Sequence, residues 1–586
     1  MRYLRLLTNA MTCGVLGAAY LAVLVLQLNP QVPAGSNTTL RWFGTLLTFY
    51  GLYLTVAIYL LLLVRELLAV RPLSPAWLSV RLLAWVSAAE AATAALITWA
   101  NLRGFRAMLS EPAAERMREG AVATTVFAAL LLSIAVLRYS FGRRGTRPAA
   151  VLLLASMVLS VGVPLWLRGS GELPVPRPSG PSRPPRAIAR NPAAPAPPRV
   201  RLLLLDGASM RFIRQRVAAG QLPNVANLLD RGATIDLATL KPTQAEPVWS
   251  AVATGKYPPH NGVRSGIRRI LPDDVNPVDL LPDYCFAQAL VVQSFVREED
   301  FTASASLRAR AMWEILADYD LAAGVVNWPL TYPARAENGY VISDQFDEGE
   351  SYPLRLAQAG APTTANAIAR DTFDYWRALP WEEVMPPISV EETEPLGLQR
   401  ARWDRAYSAA AEELAWEFPT QLTALRFEGL DVFGHSSLRD AEPELFGQIG
   451  RGDPHRSLLD RSYAFVDREI GHLMESLAPG DLLLVVSGFG MDRETLLKQL
   501  VARARGEPDR PGSHDRAPDG FLIAFGVNVQ PNRSILRGSI VDVAPTVLYY
   551  LGLPVGRDMD GFARVDLFRD SYIVEHPVTY IATHER

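Results

Sequence analysis

The feature that most constrains this fold is a change of solvent partway along the chain. Over roughly the first 170 of its 586 residues, one long apolar segment follows another. Each approaches the ~20 residues that a helix needs to cross a bilayer. Behind residue 200 the apolar runs shorten to strand length and alternate with helical periods. Two folding problems therefore sit on one chain, one solved in lipid and one in water.

The candidate spans are Thr8–Leu28, Phe43–Val64, Val80–Ala100, Val122–Leu137 and Ala149–Leu167. The third is amphipathic and carries Glu90, which reads more simply as packed against a neighbouring helix than as part of a proton path. The fourth is short. For the first, a cleaved signal peptide is the alternative, since Arg2 and Arg5 precede it. The length of that run and the spans after it favour an anchor.

Arginine sets the expected orientation. Arg2 and Arg5, then Arg65, Arg71 and Arg81, then Arg138, Arg143, Arg144 and Arg147 fall on one side of the alternating spans. The other side holds Arg41, and then Arg103, Arg106, Arg116 and Arg118 diluted by Glu111, Glu115 and Glu119. The purer set is cytoplasmic by the positive-inside rule. Five spans then place the C-terminal part outside a cytoplasmic (inner) membrane. With one span fewer, the conclusion reverses.

The expected organisation is a membrane domain over 1–168, a linker over 169–200 and an α/β domain over 201–586. The linker, GSGELPVPRPSGPSRPPRAIARNPAAPAPPRV, is too rich in proline and polar residues to build a core. The two cysteines, Cys13 and Cys285, cannot form a disulfide framework. A formal net charge of −2 gives no reason to expect duplex nucleic acid as a partner.

In the third part, Arg201–Leu205, Gly324–Pro329, Asp481–Ser487 and Phe521–Phe525 read as strands buried on both faces. Phe212–Arg231, with Pro223 inside a turn, Arg402–Glu417 and Leu458–Leu477 read as helical stretches between them. The pattern predicts a mostly parallel sheet sandwiched by helices, with ligands at the carboxyl ends of the strands. Residues 345–420 lack clear strands and are a candidate helical cap.

Four residues have metal-ligand chemistry. Asp206 closes the run LLLLDG, Asp431 and His435 stand four apart in GLDVFGH, and His514 lies in PGSHDRAPDG. Singly, each has an ordinary reading as a turn, surface or capping residue. Together, a carboxylate and two imidazoles suit one divalent cation, Zn²⁺ above all.

The stretches PTQAEPVWSAVATGKYPPHNGV and IVDVAPTVLYYLGLPVGRDMDG resemble the alkaline phosphatase superfamily, in its type I phosphodiesterase and nucleotide pyrophosphatase branch. The resemblance covers roughly 200–570. It implies an alkaline phosphatase-like fold, a two-metal centre and action on phosphate esters. Asp206 matches the ligand that follows the family's first strand. Asp431, His435 and His514 match the other metal's ligands. The nucleophile position falls on Ala245, however, and the family's Asp-His ligand pair falls on Gly488 and Phe489. Alanine has no oxygen to activate, and one carboxylate holds Zn²⁺ poorly. Two readings stay open: an extracytoplasmic phosphate-ester hydrolase with one metal or altered chemistry, and a catalytically inactive relative that binds an anionic ligand, lipid headgroup or protein partner. Nearby Thr243, Gln244, Glu246 and Ser250 read best as turn and cap residues.

Overall fold

Among the described residues, five helices are long and apolar enough to cross a membrane: α1 (Arg2–Leu28), α2 (Asn37–Leu68), α3 (Val80–Gly104), α4 (Glu111–Ile134) and α5 (Arg147–Leu167). The computed structural model describes residues 1–35, 37–68, 77–140, 147–172, 198–272, 276–283, 296–300, 304–346, 353–384, 395–447, 458–506, 508–515 and 517–585. Most of the proline-rich linker, Arg71, Arg143, Arg144 and Cys285 lie outside that set. The fourth span is longer than its apolar core. Its helix starts at Glu111, where Ser110 accepts a cap hydrogen bond from the Ala113 amide and Pro112 takes a first-turn position.

One compact unit comprises residues 1–174 together with 267–300. The second stretch, in which Ile267–Ile270 pairs antiparallel with Arg297–Asp300, lies in the part of the sequence assigned above to the α/β domain. It packs with the helices because their ends offer it hydrogen bonds. Asn29 accepts from the Asp279 and Leu280 amides and donates to the Leu280 carbonyl. Asn101 exchanges two hydrogen bonds with the Asp283 backbone. At the same bundle end, Ala34 pairs with Ser170, and Glu172 takes Arg116 at 2.7 Å.

The other unit comprises 175–266 and 301–586. Its sheet has the order β9-β2-β8-β7-β1-β6-β3-β4-β5. The strands are β1 (Val200–Leu205), β2 (Ala233–Ala238), β3 (Ala323–Trp328), β4 (Gly339–Ser343), β5 (Gly360–Ala361), β6 (Leu422–Phe427), β7 (Leu482–Phe489), β8 (Asp519–Phe525) and β9 (Arg533–Ser539). The centre, from β7 through β4, is parallel. β8 runs antiparallel to both β7 and β2, a direction that buried-strand composition cannot reveal.

Helices cover the sheet. Phe212–Arg231 is interrupted as expected, giving α6 (Met210–Ala218) and α7 (Pro223–Arg231), but Pro223 opens the second helix and does not sit inside the turn. Next come α8 (Ala245–Thr254), α9 (Thr363–Ala378), α10 (Pro395–Glu417), α11 (Gly429–Ala441) and α12 (Leu458–Glu475). α9 and α10 bury Phe373, Trp403 and Tyr407 against the sheet in the main core. These two helices, placed by the sequence in a candidate cap, form part of the layer on the sheet.

Candidate metal centre

The carboxyl ends of β1, β6 and β7 meet at the centre of the sheet. Leu205 pairs with Phe427 on one side and Ser487 on the other. Asp206 therefore emerges between the loop that leads into α11 and the end of β7. This crevice holds most of the residues singled out above.

Asp431 and His435 lie on one face of the first turns of α11, as their four-residue spacing requires. The start of α11 is fixed from α10, where the buried carboxylate of Asp404 accepts the Glu428 amide at 3.0 Å and the Gly429 amide at 2.7 Å. Burial pushes the Asp404 carboxyl up to about 7, against the pull of those two amides. His514 arrives from the loop before β8. One ligand atom from each of Asp431, His435 and His514 lies within 4.8 Å of the others.

The hydrogen bonds point these atoms inward. His435 Nδ1 lies 2.8 Å from the Gly512 carbonyl, and His514 Nδ1 lies 3.0 Å from the Thr243 carbonyl. A carbonyl only accepts, so each Nδ1 carries a proton, and in the neutral ring it is Nε2 that has the lone pair. The two Nε2 atoms stand 3.5 and 3.9 Å from the Asp431 oxygens. Asp431 Oδ1 is buried with no hydrogen-bond partner among the described residues. An orphaned carboxylate oxygen facing two imidazole lone pairs fits a divalent cation, held by two nitrogens and one carboxylate.

Asp206 stands outside this group. It is 2% exposed, and its oxygens are already taken. Arg426, from β6, places Nη2 2.5 Å from Oδ2 and Nε 3.1 Å from both oxygens. Trp249 of α8 donates Nε1–H to Oδ1 at 2.6 Å. Burial raises the Asp206 carboxyl to about 6, while Arg426 opposes the rise. Arg426 Nη1 also reaches Glu428 Oε1 at 2.9 Å, and Glu428 meets Arg400 at 3.3 Å.

The remaining positions of that half are filled by packing. Ala245 opens α8 and offers no oxygen. A Cβ on Gly488 would lie 2.3 Å from Val248 Cγ1. Phe489 is fully buried with its ring 5.1 Å from that of His514. A second cation does not fit these residues. Gly207, by contrast, is needed where it stands: its φ is +69°, and a Cβ there would come within 2.9 Å of Asp431 Cα.

The sequence reading missed Arg426, Trp249 and Asp404. Arg426 had a signal, since an arginine inside the run LTALRF must find a counter-charge if that run is a buried strand. That run was not read as a strand. Trp249 and Asp404 carried no signal that separates them from ordinary helix residues.

Residues 200–506, just over half of the 586, match the type I phosphodiesterase / nucleotide pyrophosphatase family. No curated protein matches the chain by sequence. Among solved structures it is similar to murine ectonucleotide pyrophosphatase / phosphodiesterase 5, at 12% identity and a TM-score of 0.39, over 63% of this chain and 100% of that one. An inactive form of the murine protein in complex with AMP matches at 12% and 0.39, over 64% of this chain and all of the other. The human protein of the same name matches at 12% and 0.38, over 63% and 100%. The match over 200–506 decides the assignment: the chain belongs to the type I phosphodiesterase / nucleotide pyrophosphatase family.

Proposed function

We propose that this is a membrane-anchored, extracytoplasmic member of the family that acts on phosphate esters with a single divalent cation, Zn²⁺ by ligand type, and without a covalent phosphoryl-enzyme. The observation that carries this reading is the contrast at the crevice. Asp431, His435 and His514 have free ligand atoms turned toward one another, while Asp206 is sealed by Arg426. A cation at the triad would supply Lewis acidity, polarising a phosphoryl oxygen and acidifying water. Asp431 and the two Nε2 atoms would hold it. The Gly512 and Thr243 carbonyls keep both rings oriented. Two residues after Thr243 the first turn of α8 begins, and helix amides there favour an anionic ligand.

A second reading, binding without turnover, is favoured by Ala245 and by the sealed half-site together. One assay separates the two. Full-length protein in detergent is given aryl phosphodiesters and monoesters with Zn²⁺, beside His514→Ala. Turnover abolished by His514→Ala supports the water-attacking hydrolase. No turnover, with zinc-dependent binding of a phosphate monoester that His514→Ala removes, supports the inactive binder. Loss of neither activity nor binding in the variant removes the triad from the function.

The orientation rests on the arginine-rich loops around the five helices. It is tested by labelling Cys285 with an impermeant thiol reagent in intact cells, or spheroplasts where there is an outer membrane. Reaction in cells equal to that in lysate supports an outside domain. Protection in cells with reaction in lysate places it inside.

A further inference from the structure

We infer that Arg426 is a built-in cation: its guanidinium neutralises Asp206 as an exchangeable ion otherwise would, so the site keeps one metal and one fixed positive charge. This rests on the single-cation reading above and extends it to the other half of the crevice.

Three observations lead there. First, the pair is deeply buried, with side-chain exposures of 7% for Arg426 and 3% for Asp206. A carboxylate this far from water requires compensation. Second, the contact is made on two guanidinium nitrogens, Nη2 at 2.5 Å and Nε at 3.1 Å, which is the strong, directional form of such a pair. Third, the rest of the guanidinium is also occupied. Nη1 donates to Glu428 at 2.9 Å and lies 3.4 Å from the Asn327 carbonyl. Glu428 is balanced in turn by Arg400 at 3.3 Å. Asp206 and Glu428 are therefore matched by Arg426 and Arg400. The triad is different: Asp431 faces two imidazoles whose inward atoms are acceptors. A fixed cation at Asp206 also explains how the fold accommodates Gly488 and Phe489, two residues without ligand atoms where the resemblance places an Asp-His pair.

Arg426 is a positioning and charge-balancing residue, with its donors turned to protein acceptors. Its role is read from metal content and stability, not from activity. Full-length protein in detergent is stripped with a chelator, and its thermal midpoint is compared for wild type, Arg426→Met and the neutral pair Asp206→Leu with Arg426→Met. The single change leaves a buried carboxylate unpaired and is expected to lower the midpoint by about 10 °C. The neutral pair is expected to regain more than half of that loss. In reloading, wild type is expected to take one zinc equivalent, and Asp206→Asn is expected to keep it.

Where Arg426→Met yields no folded protein, Asp206→Asn and the neutral pair decide the matter. A folded neutral pair and an unchanged zinc count in Asp206→Asn support the inference. It is overturned if Arg426→Met melts with wild type, or if wild type takes a second zinc equivalent that Asp206→Asn removes. Failure of the single-cation reading looks different: wild type would take no zinc, or His514→Ala would leave its zinc in place. The metal-free comparison of midpoints would then stand unaffected.

Discussion

Asp206 and Asp431 are two carboxylates at one crevice, linked by Gly207, whose missing side chain lets the end of β1 pass within van der Waals reach of α11. Their surroundings are opposite. Asp206 is buried and saturated by Arg426 and Trp249. Asp431 keeps an oxygen with no partner among the described residues and faces two imidazole nitrogens. One carboxylate is held by a side-chain cation, and the other has two imidazole ligand atoms turned toward it. The difference teaches that two carboxylates at one crevice can be stabilised in different ways: in a buried crevice, a carboxylate is compensated by whatever residue can reach it.

The largest effect is expected from rebuilding the sealed half. Ala245→Thr, Gly488→Asp and Phe489→His together would return the family's residue types, yet the zinc count should stay at one. Arg426 still holds Asp206, and Val248 Cγ1 occupies the space of a Cβ at 488. Adding Arg426→Ala and Val248→Ala should admit a second equivalent and allow a phosphoryl-enzyme at residue 245. With each ~1.4 kcal/mol worth tenfold, the rate should rise by orders of magnitude. Zinc analysis and intact-mass measurement of both variants check this. A second equivalent in the three-change variant would show that Arg426 does not block the site.

The open half should break more simply. His435→Ala or His514→Ala removes one of three ligands and should cost more affinity than the roughly 10–100-fold typical of an outer partner. Zinc retained through dialysis against a weak chelator measures it, and full retention would refute the triad. Asp404→Ala tests the support of that half. It frees the Glu428 and Gly429 amides that fix the start of α11, so zinc affinity should fall by about tenfold while stoichiometry stays the same. An unchanged affinity would confine Asp404 to stability.

The smallest effect separates the halves cleanly. Gly488→Ala overpacks against Val248 and should cost about 1–3 kcal/mol of stability, with zinc affinity unchanged. Gly207→Ala forces a side chain onto Asp431 at a φ of +69° and should lower both. Paired thermal and zinc titrations read the difference. Equal zinc loss in the two variants would mean that the halves are one site.

Much of this was legible in the residues. The five apolar helices follow from length and composition, because lipid demands continuous apolar helix. The central strands β1, β3, β7 and β8 follow from short unbroken apolar runs. Asp206, Asp431, His435 and His514 stood out by ligand type, while the grouping of the last three, the nucleophile position at Ala245 and the ligand pair at Gly488 and Phe489 came from the resemblance. β6, LTALRF, is not among those runs, and the Asp206 that pairs with its Arg426 lies far away in sequence.

What the sequence determined by itself was thus local or additive: which segments suit lipid, which runs suit a buried sheet, and which side chains have the chemistry to hold a cation. What only the tertiary structure decided was pairing at a distance. The register of β6 on β1 brings Arg426 to Asp206 across 220 residues of chain. The antiparallel insertion of β8 and the association of 267–300 with the helical unit are of the same kind. The physical reason is that a buried charge is stabilised by whatever partner the packing delivers. Which partner arrives depends on strand order and register, and neither is encoded in the residues next to the charge.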